Sequence, residues 1–241
     1  MKKSILLLVA ILFISSINAQ NWGSKTIKGN GKEATITRKT SDYDGIRCAG
    51  WMDFILVKGN EGTITLEGEE NLLDHIVTEV QGGDLVIKTE NNVNLKTSWN
   101  KTIKITIPFE EIDKVTLSGS GDIITRDKII ADDFEAKVSG SGDVVLDIEA
   151  NEIDAAVTGS GDLTLTGKTN ELEVSVTGSG DFHGFKLEAN NTDAQVTGSG
   201  DIEVVCNNEL KARVTGSGDI EYKGNPKRED SKVTGSGSIS N

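Results

Sequence analysis

The hexapeptide Val-Thr-Gly-Ser-Gly-Asp stands at residues 157–162 and returns unchanged at 176–181, 196–201 and 214–219. Near copies begin at Leu117, Val138 and Val233. The Gly-Ser-Gly tripeptides start at Gly119, Gly140, Gly159, Gly178, Gly198, Gly216 and Gly235, so successive starts differ by 21, 19, 19, 20, 18 and 19. A fixed period near 20 marks a repeat architecture, in which each unit is too small to bury a face of its own and neighbours must bury it together. The leucine-rich alternative fails, because its leucine and asparagine frame is absent and no helical stripe separates the turns.

Aligned on the tripeptide, the copies alternate apolar with polar on both sides. Leu117, Val138, Val157, Val176, Val196, Val214 and Val233 precede the turns, and Ile123, Val144, Leu163, Phe182, Ile202, Ile220 and Ile239 follow them. Two residues before the first set stand Val115, Ala136, Ala155, Val174, Ala194, Ala212 and Ser231. Period-two runs rich in β-branched residues are strands. Stacking the units places like on like, which makes the chain an all-β parallel β-helix, a β-solenoid with coils of about 19–21 residues. In each corner the glycines are expected to supply φ > 0, and the Ser and Asp to bond backbone donors of the same turn. Because the residue after it points inward, each Asp must point outward.

The outward acids Asp122, Asp143, Asp162, Asp181, Asp201 and Asp219 are the one candidate site. Stacked at about 4.8 Å, neighbouring carboxylates repel by roughly 1 kcal/mol in bulk water and several-fold more when dry. The first expectation is therefore a row of solvated turn acids that needs no cofactor. The alternative is a row of Ca²⁺ sites, since Ca²⁺ accepts carboxylate oxygens in flexible geometry. The repeat is not a phosphate-binding loop, because that loop needs one Gly-rich turn between a strand and a helix, whereas each turn here runs into another strand. The final copy carries Ser238 in place of the acid, and the preceding "GNPKRED" is expected to blunt the open sheet edge. Thr158, Thr177, Thr197 and Thr215 form an outward row of strand formers beside the acids.

Residues 1–19, with Lys2 and Lys3, an apolar Ile5–Ile14 and "INA" ending at Ala19, read as a cleaved export signal. The apolar run is too short to span a bilayer, and no later segment is apolar enough. Residues 20–32 read as a linker and 33–241 as the solenoid, less regular over 33–116 and repetitive over 117–241. The mature chain would run from Gln20 to Asn241. Of 25 basic residues, removal of Lys2 and Lys3 leaves 23 against 38 acids, a net charge of −15. That field disfavours nucleic acid and anionic lipid as partners.

Within 33–116, "EATITRK", "DFILVKG", "GTITLEG", "GDLVIKT" and "KTIKITIP" alternate as strands. "EENLLDHIVTEV" reads as a short helical turn followed by a strand. Trp51 and Trp99 are expected to cover the first coil. His75 and His183 have no Cys, Asp or Glu at metal-ligand spacing and read as incidental. If the N-terminal strands stack as earlier coils, Cys48 and Cys206 lie about eight coils, or about 40 Å, apart. A disulfide tolerates about 7 Å, so both are expected to be free thiols.

The order "YDGIRCAGWMDFILVKG", "ITLEGEENLLDHIVTEVQGGDLVIKT" and "IKITIPFEEIDKVTLSGSGD", followed by repeated GSGD, resembles the head GIN domain family of exported bacterial proteins. That family carries the auto-transporter adhesin label and was long a domain of unknown function. The resemblance runs from about Ala34 to about Ile220. It implies a single-stranded, right-handed parallel β-helix with no established catalytic residues. With the export signal, the chain is expected to be periplasmic, secreted or at the cell surface, and the flat outward ladders of Thr, Ser, Asn and Asp on an elongated β-helix suit an extended partner, a glycan or a cell-surface protein. A polysaccharide-acting β-helix enzyme and a periplasmic assembly partner are the alternatives. An enzyme would need acids and a base converging in a cleft, whereas the acids here are spread one per coil.

Overall fold

A computed structural model describes residues 24–241, and the export signal expected at 1–19 lies outside them. From Lys114 onward every coil repeats one cross-section. Each strand pairs in parallel with its counterpart one period along the chain, without slippage through the corner strand: Val138 lies on Leu117, Val157 on Val138, Val176 on Val157, Val196 on Val176 and Val214 on Val196. The same register stacks Ile123, Val144, Leu163, Phe182, Ile202 and Ile220. These residues are at most 2% exposed. At roughly 1.5–3 kcal/mol per fully buried aliphatic side chain, the ladders are the main source of cohesion.

The two glycines of each corner do different work. The first takes a positive φ, 123–133° across the seven copies, which only glycine adopts readily. The second is ordinary in conformation but lies against the coil beneath it: a Cβ on Gly142, Gly161 or Gly180 would fall 1.9–2.1 Å from the preceding glycine's carbonyl oxygen. The carbonyl of each first glycine accepts two bonds from the next coil, from the Ser amide at 2.7–2.8 Å and from the second Gly amide at 2.9–3.2 Å. The expectation of positive φ thus holds for the first glycine alone. The second is required instead by the close approach of stacked backbones.

The N-terminal elements are β1 (Lys25–Lys28), β2 (Glu33–Lys39), β3 (Gly45–Gly50), β4 (Asp53–Lys58), β5 (Thr63–Glu69), α1 (Glu70–Leu73), β6 (Ile76–Gln81), β7 (Asp84–Thr89), β8 (Val93–Lys96), β9 (Lys104–Phe109), β10 (Lys114–Gly119) and β11 (Asp122–Thr125). They do not stack in chain order. The coil β10–β11 lies on β3–β4, and β3–β4 lies in turn on β7 and β9. The chain thus lays down its second coil first and returns to place the outermost one. That end is closed by antiparallel pairing of β2 with β5, β5 with β9 and β6 with β7. The β6–β7 hairpin turns on Gly82 and Gly83, with φ of 64° and 91°, as a two-residue primed turn demands. The short helix followed by a strand falls where the sequence placed it. Residues 24–32, read as linker, contain β1, which pairs in parallel with β8.

In this order an eighth corner emerges. Gly50 lies under Gly119 and Asp53 under Asp122, so "AGWMD" is the degenerate counterpart of "SGSGD". Gly50 keeps the positive φ, 118°. Met52 occupies the second-glycine position, fully buried. The outermost coil has the long 90–103 connection instead of a tight corner, which leaves room for a side chain there. Trp51 packs partly buried against the core, but Trp99 is 91% exposed and does not cover the first coil.

Glu69 is the one fully buried carboxylate among the described residues. It accepts bonds from the Gly31 amide, from the Ser98 amide at 2.8 Å and from the Ser98 hydroxyl at 2.7 Å, tying both loops flanking the β1–β8 pair to the cap. Burial pushes its carboxyl upward, but the Ser98 and Gly31 donors and the Lys101 charge outweigh it and hold the group below the usual range.

The C-terminal edge is blunted by the end of the GNPKRED segment, Arg228, Glu229 and Asp230, which opens the last long strand, Arg228–Gly235. Glu229 and Ser231 occupy the inward positions that Leu210 and Ala212 fill one coil earlier. Tyr222 and Ser231 hydroxyls donate to the Glu229 carboxylate at 3.0 and 2.5 Å. An inward charge on an edge strand discourages further pairing. Cys48 and Cys206 are buried free thiols. Because Cys48 stacks directly on Leu117, the two lie about five coils apart, not eight, or about 24 Å along the axis, still beyond bridging.

Candidate functional site

The six repeat acids point outward as the parity requires, and they do specific work. The Asp143 amide donates to Asp122 Oδ1 at 3.2 Å, Asp162 to Asp143 at 3.1 Å, Asp181 to Asp162 at 3.0 Å, Asp201 to Asp181 at 2.8 Å and Asp219 to Asp201 at 2.7 Å. The partner is one coil away, not within the same turn as expected. A hydrogen bond to a charged group is worth roughly 1.5–3 kcal/mol, which exceeds the roughly 1 kcal/mol of repulsion between solvated neighbours. Each bond thus offsets the repulsion between one stacked pair of carboxylates. Ser238 closes the row by directing its amide and hydroxyl to Asp219 Oδ1 at 2.6 and 2.9 Å. Thr158, Thr177, Thr197 and Thr215 are all exposed and stacked in register beside the acids.

The histidines are partnered, contrary to their reading as isolated residues. His75 Nδ1 lies 2.8 Å from Glu90 Oε2, and His183 Nδ1 lies 3.1 Å from Glu203 Oε2. His183 also lies with Asp162 and Asp181, one donor atom of each falling within 4.8 Å of the others. In a solenoid the relevant ligand spacing is the coil period. Scanning one period either way from His183 would have found Glu203 and, near by, Asp162.

A groove of about 720 Å³ runs across the stacked strands, walled by Glu171, Asn191 and Glu209 on one side and by Glu173, Asp193 and Lys211 on the other. Leu172, Thr192 and Leu210 form its floor. Glu152, Glu171 and Glu173, at one end, have no ion pair among the described residues. At the other end Lys211 pairs with Asp193, Arg228 with Glu209 and Arg213 with Asp230. Thr192 is 4% exposed, and its hydroxyl has no hydrogen-bond partner among the described residues.

Two amide ladders border the groove. Asn190 donates to Asn170 at 2.9 Å and Asn170 to Asn151 at 2.7 Å. Asn208 donates to Asn191 at 2.8 Å and Asn191 to Glu171 at 2.6 Å. No helix among the described residues is long and apolar enough to cross a membrane.

An interior filled by aliphatic ladders and an outer surface carrying registered rows of acids, hydroxyls and amides define the class: a parallel β-solenoid that presents its chemistry on its outer faces. Over residues 42–226 the sequence matches the family described as "Putative auto-transporter adhesin, head GIN domain", and the chain belongs to that family. No curated protein matches it.

Solved structures share the fold. A "putative lipid binding protein" from Parabacteroides distasonis is 30% identical, with a TM-score of 0.70, covering 90% of this chain and 99% of its own. A "putative adhesin" from Bacteroides fragilis is 22% identical, with a TM-score of 0.78, covering 89% of this chain and 99% of its own. A "putative adhesin" from Parabacteroides distasonis is 24% identical, with a TM-score of 0.72, covering 90% and 99%.

Proposed function

We propose that the protein is an exported, non-enzymatic surface module that binds an extended glycan along the acidic groove. The observation that carries this reading is the groove itself: polar and charged side chains from four successive coils, Glu171 and Glu173, Asn191 and Asp193, Glu209 and Lys211, and Arg228 and Asp230, line one continuous trough. Rungs at about 4.8 Å offer an extended polymer polar partners at regular intervals. The hydroxyls of neutral and amino sugars match carboxylate and amide groups, while the unpaired Glu152, Glu171 and Glu173 repel acidic glycans. Family membership supports a place outside the cytoplasm.

The test is retention of the protein spanning residues 20–241 on neutral, amino-substituted and acidic glycan arrays. Binding to the first two, lost in Glu171→Lys/Glu173→Lys, supports the reading; no retention, or retention that ignores the substitutions, refutes it. The relative described as lipid-binding adds an arm with phosphatidylcholine vesicles. Flotation with them in place of glycan binding would overturn the ligand class.

One observation favours a second reading, a polysaccharide-acting enzyme: Glu171, Glu209 and Arg228 share the groove. Its carboxylates stand one per rung in an open trough, with Arg228 already paired to Glu209. New reducing ends or unsaturated products from a polysaccharide panel, with or without Ca²⁺, would establish the enzyme and displace the binding module.

A further inference from the structure

We propose that Asp162, Asp181 and His183 form a binding site for a divalent transition ion of the zinc class on the outer face of the solenoid. The row two residues beyond the acids runs Ile124, Val145, Thr164, His183, Glu203 and Glu221 in register, so an imidazole stands beside the acid ladder only here. Asp162 comes from one coil, and Asp181 and His183 from the next. One donor atom of each lies within 4.8 Å of the other two.

The donors are held in place before any ion arrives. Asp162 Oδ1 accepts the Asp181 amide and Asp181 Oδ1 accepts the Asp201 amide, which fixes both carboxylates and leaves a second oxygen on each. Glu203 Oε2 lies 3.1 Å from His183 Nδ1, and a carboxylate beside a ring nitrogen orients imidazoles in zinc sites. A zinc ion bound at about 2.0–2.2 Å needs donors about 3.4 Å apart, a modest closure for partly exposed side chains.

The donor set selects the metal. One imidazole nitrogen with two carboxylate oxygens suits zinc, copper or nickel. Ca²⁺ takes six to eight oxygens and has no use for the ring. An ion here would offset the repulsion between two stacked acids and clip adjacent coils together. With three protein donors, a fourth position stays open to water or to a partner's side chain.

The experiment is calorimetric titration of the chelator-treated protein, residues 20–241, with ZnCl₂ and separately with CaCl₂, alongside thermal unfolding. The expected result is one zinc bound with a Kd near or below about 10 μM, a raised Tm, and no response to Ca²⁺ at the same concentrations. His183→Gln and Asp162→Asn should each weaken zinc by at least about 10-fold, while His75→Gln and Asp219→Asn leave it unchanged. The Asn substitution retains the acceptor for the next coil's amide, and circular dichroism checks that each variant is folded. A Cu²⁺-loaded sample should show nitrogen hyperfine coupling that disappears in His183→Gln. Absence of zinc binding, equal affinity in His183→Gln, or Ca²⁺ binding as tightly as zinc would overturn the proposal.

Discussion

Replacing Gly178 by Ala probes the corner at its most constrained point. The residue has a φ of 123°, and an added Cβ would lie 2.3 Å from the Gly159 carbonyl oxygen, a backbone atom that cannot swing aside. Forcing an L side chain into that region takes roughly 1–3 kcal/mol. Moving the strand away loosens the two bonds that the Gly159 carbonyl accepts, from Ser179 at 2.8 Å and Gly180 at 3.1 Å. Each is worth about 1 kcal/mol. The expected loss is about 3–5 kcal/mol, against a total stability for ordinary domains of about 5–15 kcal/mol. Ser179 lies at the outer corner and its hydroxyl makes no bond among those described, so Ser179→Ala should stay within about 0.5 kcal/mol of the parent. Urea unfolding followed by circular dichroism measures both. Because stacked repeats can come apart locally, a fall in m for Gly178→Ala would also fit. If Gly178→Ala unfolded within about 1 kcal/mol of the parent, with an unchanged m, the reasoning about the corner would be wrong.

Asp143→Asn keeps an acceptor for the Asp162 amide and should be nearly neutral, whereas Asp143→Leu strands that amide and should lose roughly 0.5–2 kcal/mol in the same assay. Thr192→Val replaces a buried hydroxyl without a partner by a methyl and should be neutral or raise stability by up to about 1 kcal/mol. The Glu69 carboxyl lies below its ordinary value in the folded state, so the unfolded chain binds the extra proton as pH falls. Its contribution is present above about pH 4.5 and is lost below that, as pH falls through the folded value; Glu69→Gln should flatten that part of the stability–pH curve and destabilise the cap at neutral pH. Burial raises the Cys48 thiol well above its usual value, and a thiol reagent should label neither cysteine until the chain is unfolded.

Much of the fold could be read from the sequence because the solenoid is close to one-dimensional. Once the period is found, rows such as Val138, Val157 and Val176 are fixed by counting, and parity decides which side each residue faces. Counting fails where the stacking order departs from the chain order. The β3–β4 coil lies between two coils that follow it in the chain, so no period connects them. The Gly50 corner was hidden because the long connection of the outermost coil lets Trp51 and Met52 replace serine and glycine. Trp99 was misplaced by the general tendency of large aromatics to pack, which carries no information about one exposed loop. Of the candidate site, the acid row was visible, but its purpose was not: the Asp143 carboxylate serves the Asp162 amide one coil on, and only the stacked register reveals it. The same blindness made His183 look alone, because Glu203 is a full period distant in the chain and one coil distant in space.

The central claim is that Gly-Ser-Gly-Asp is an architectural corner in which the amides of each Ser and second Gly, and of each Asp from Asp143 on, are held by the preceding coil. Native-state hydrogen exchange resolved at these amides tests it most directly. The account predicts that the amides of Ser160, Gly161, Asp162, Ser179, Gly180 and Asp181 exchange as slowly as strand amides such as those of Val157 and Val176, despite their place at exposed turns. Exchange of these corner amides at the rates of free loops, with the flanking strands protected, would contradict it.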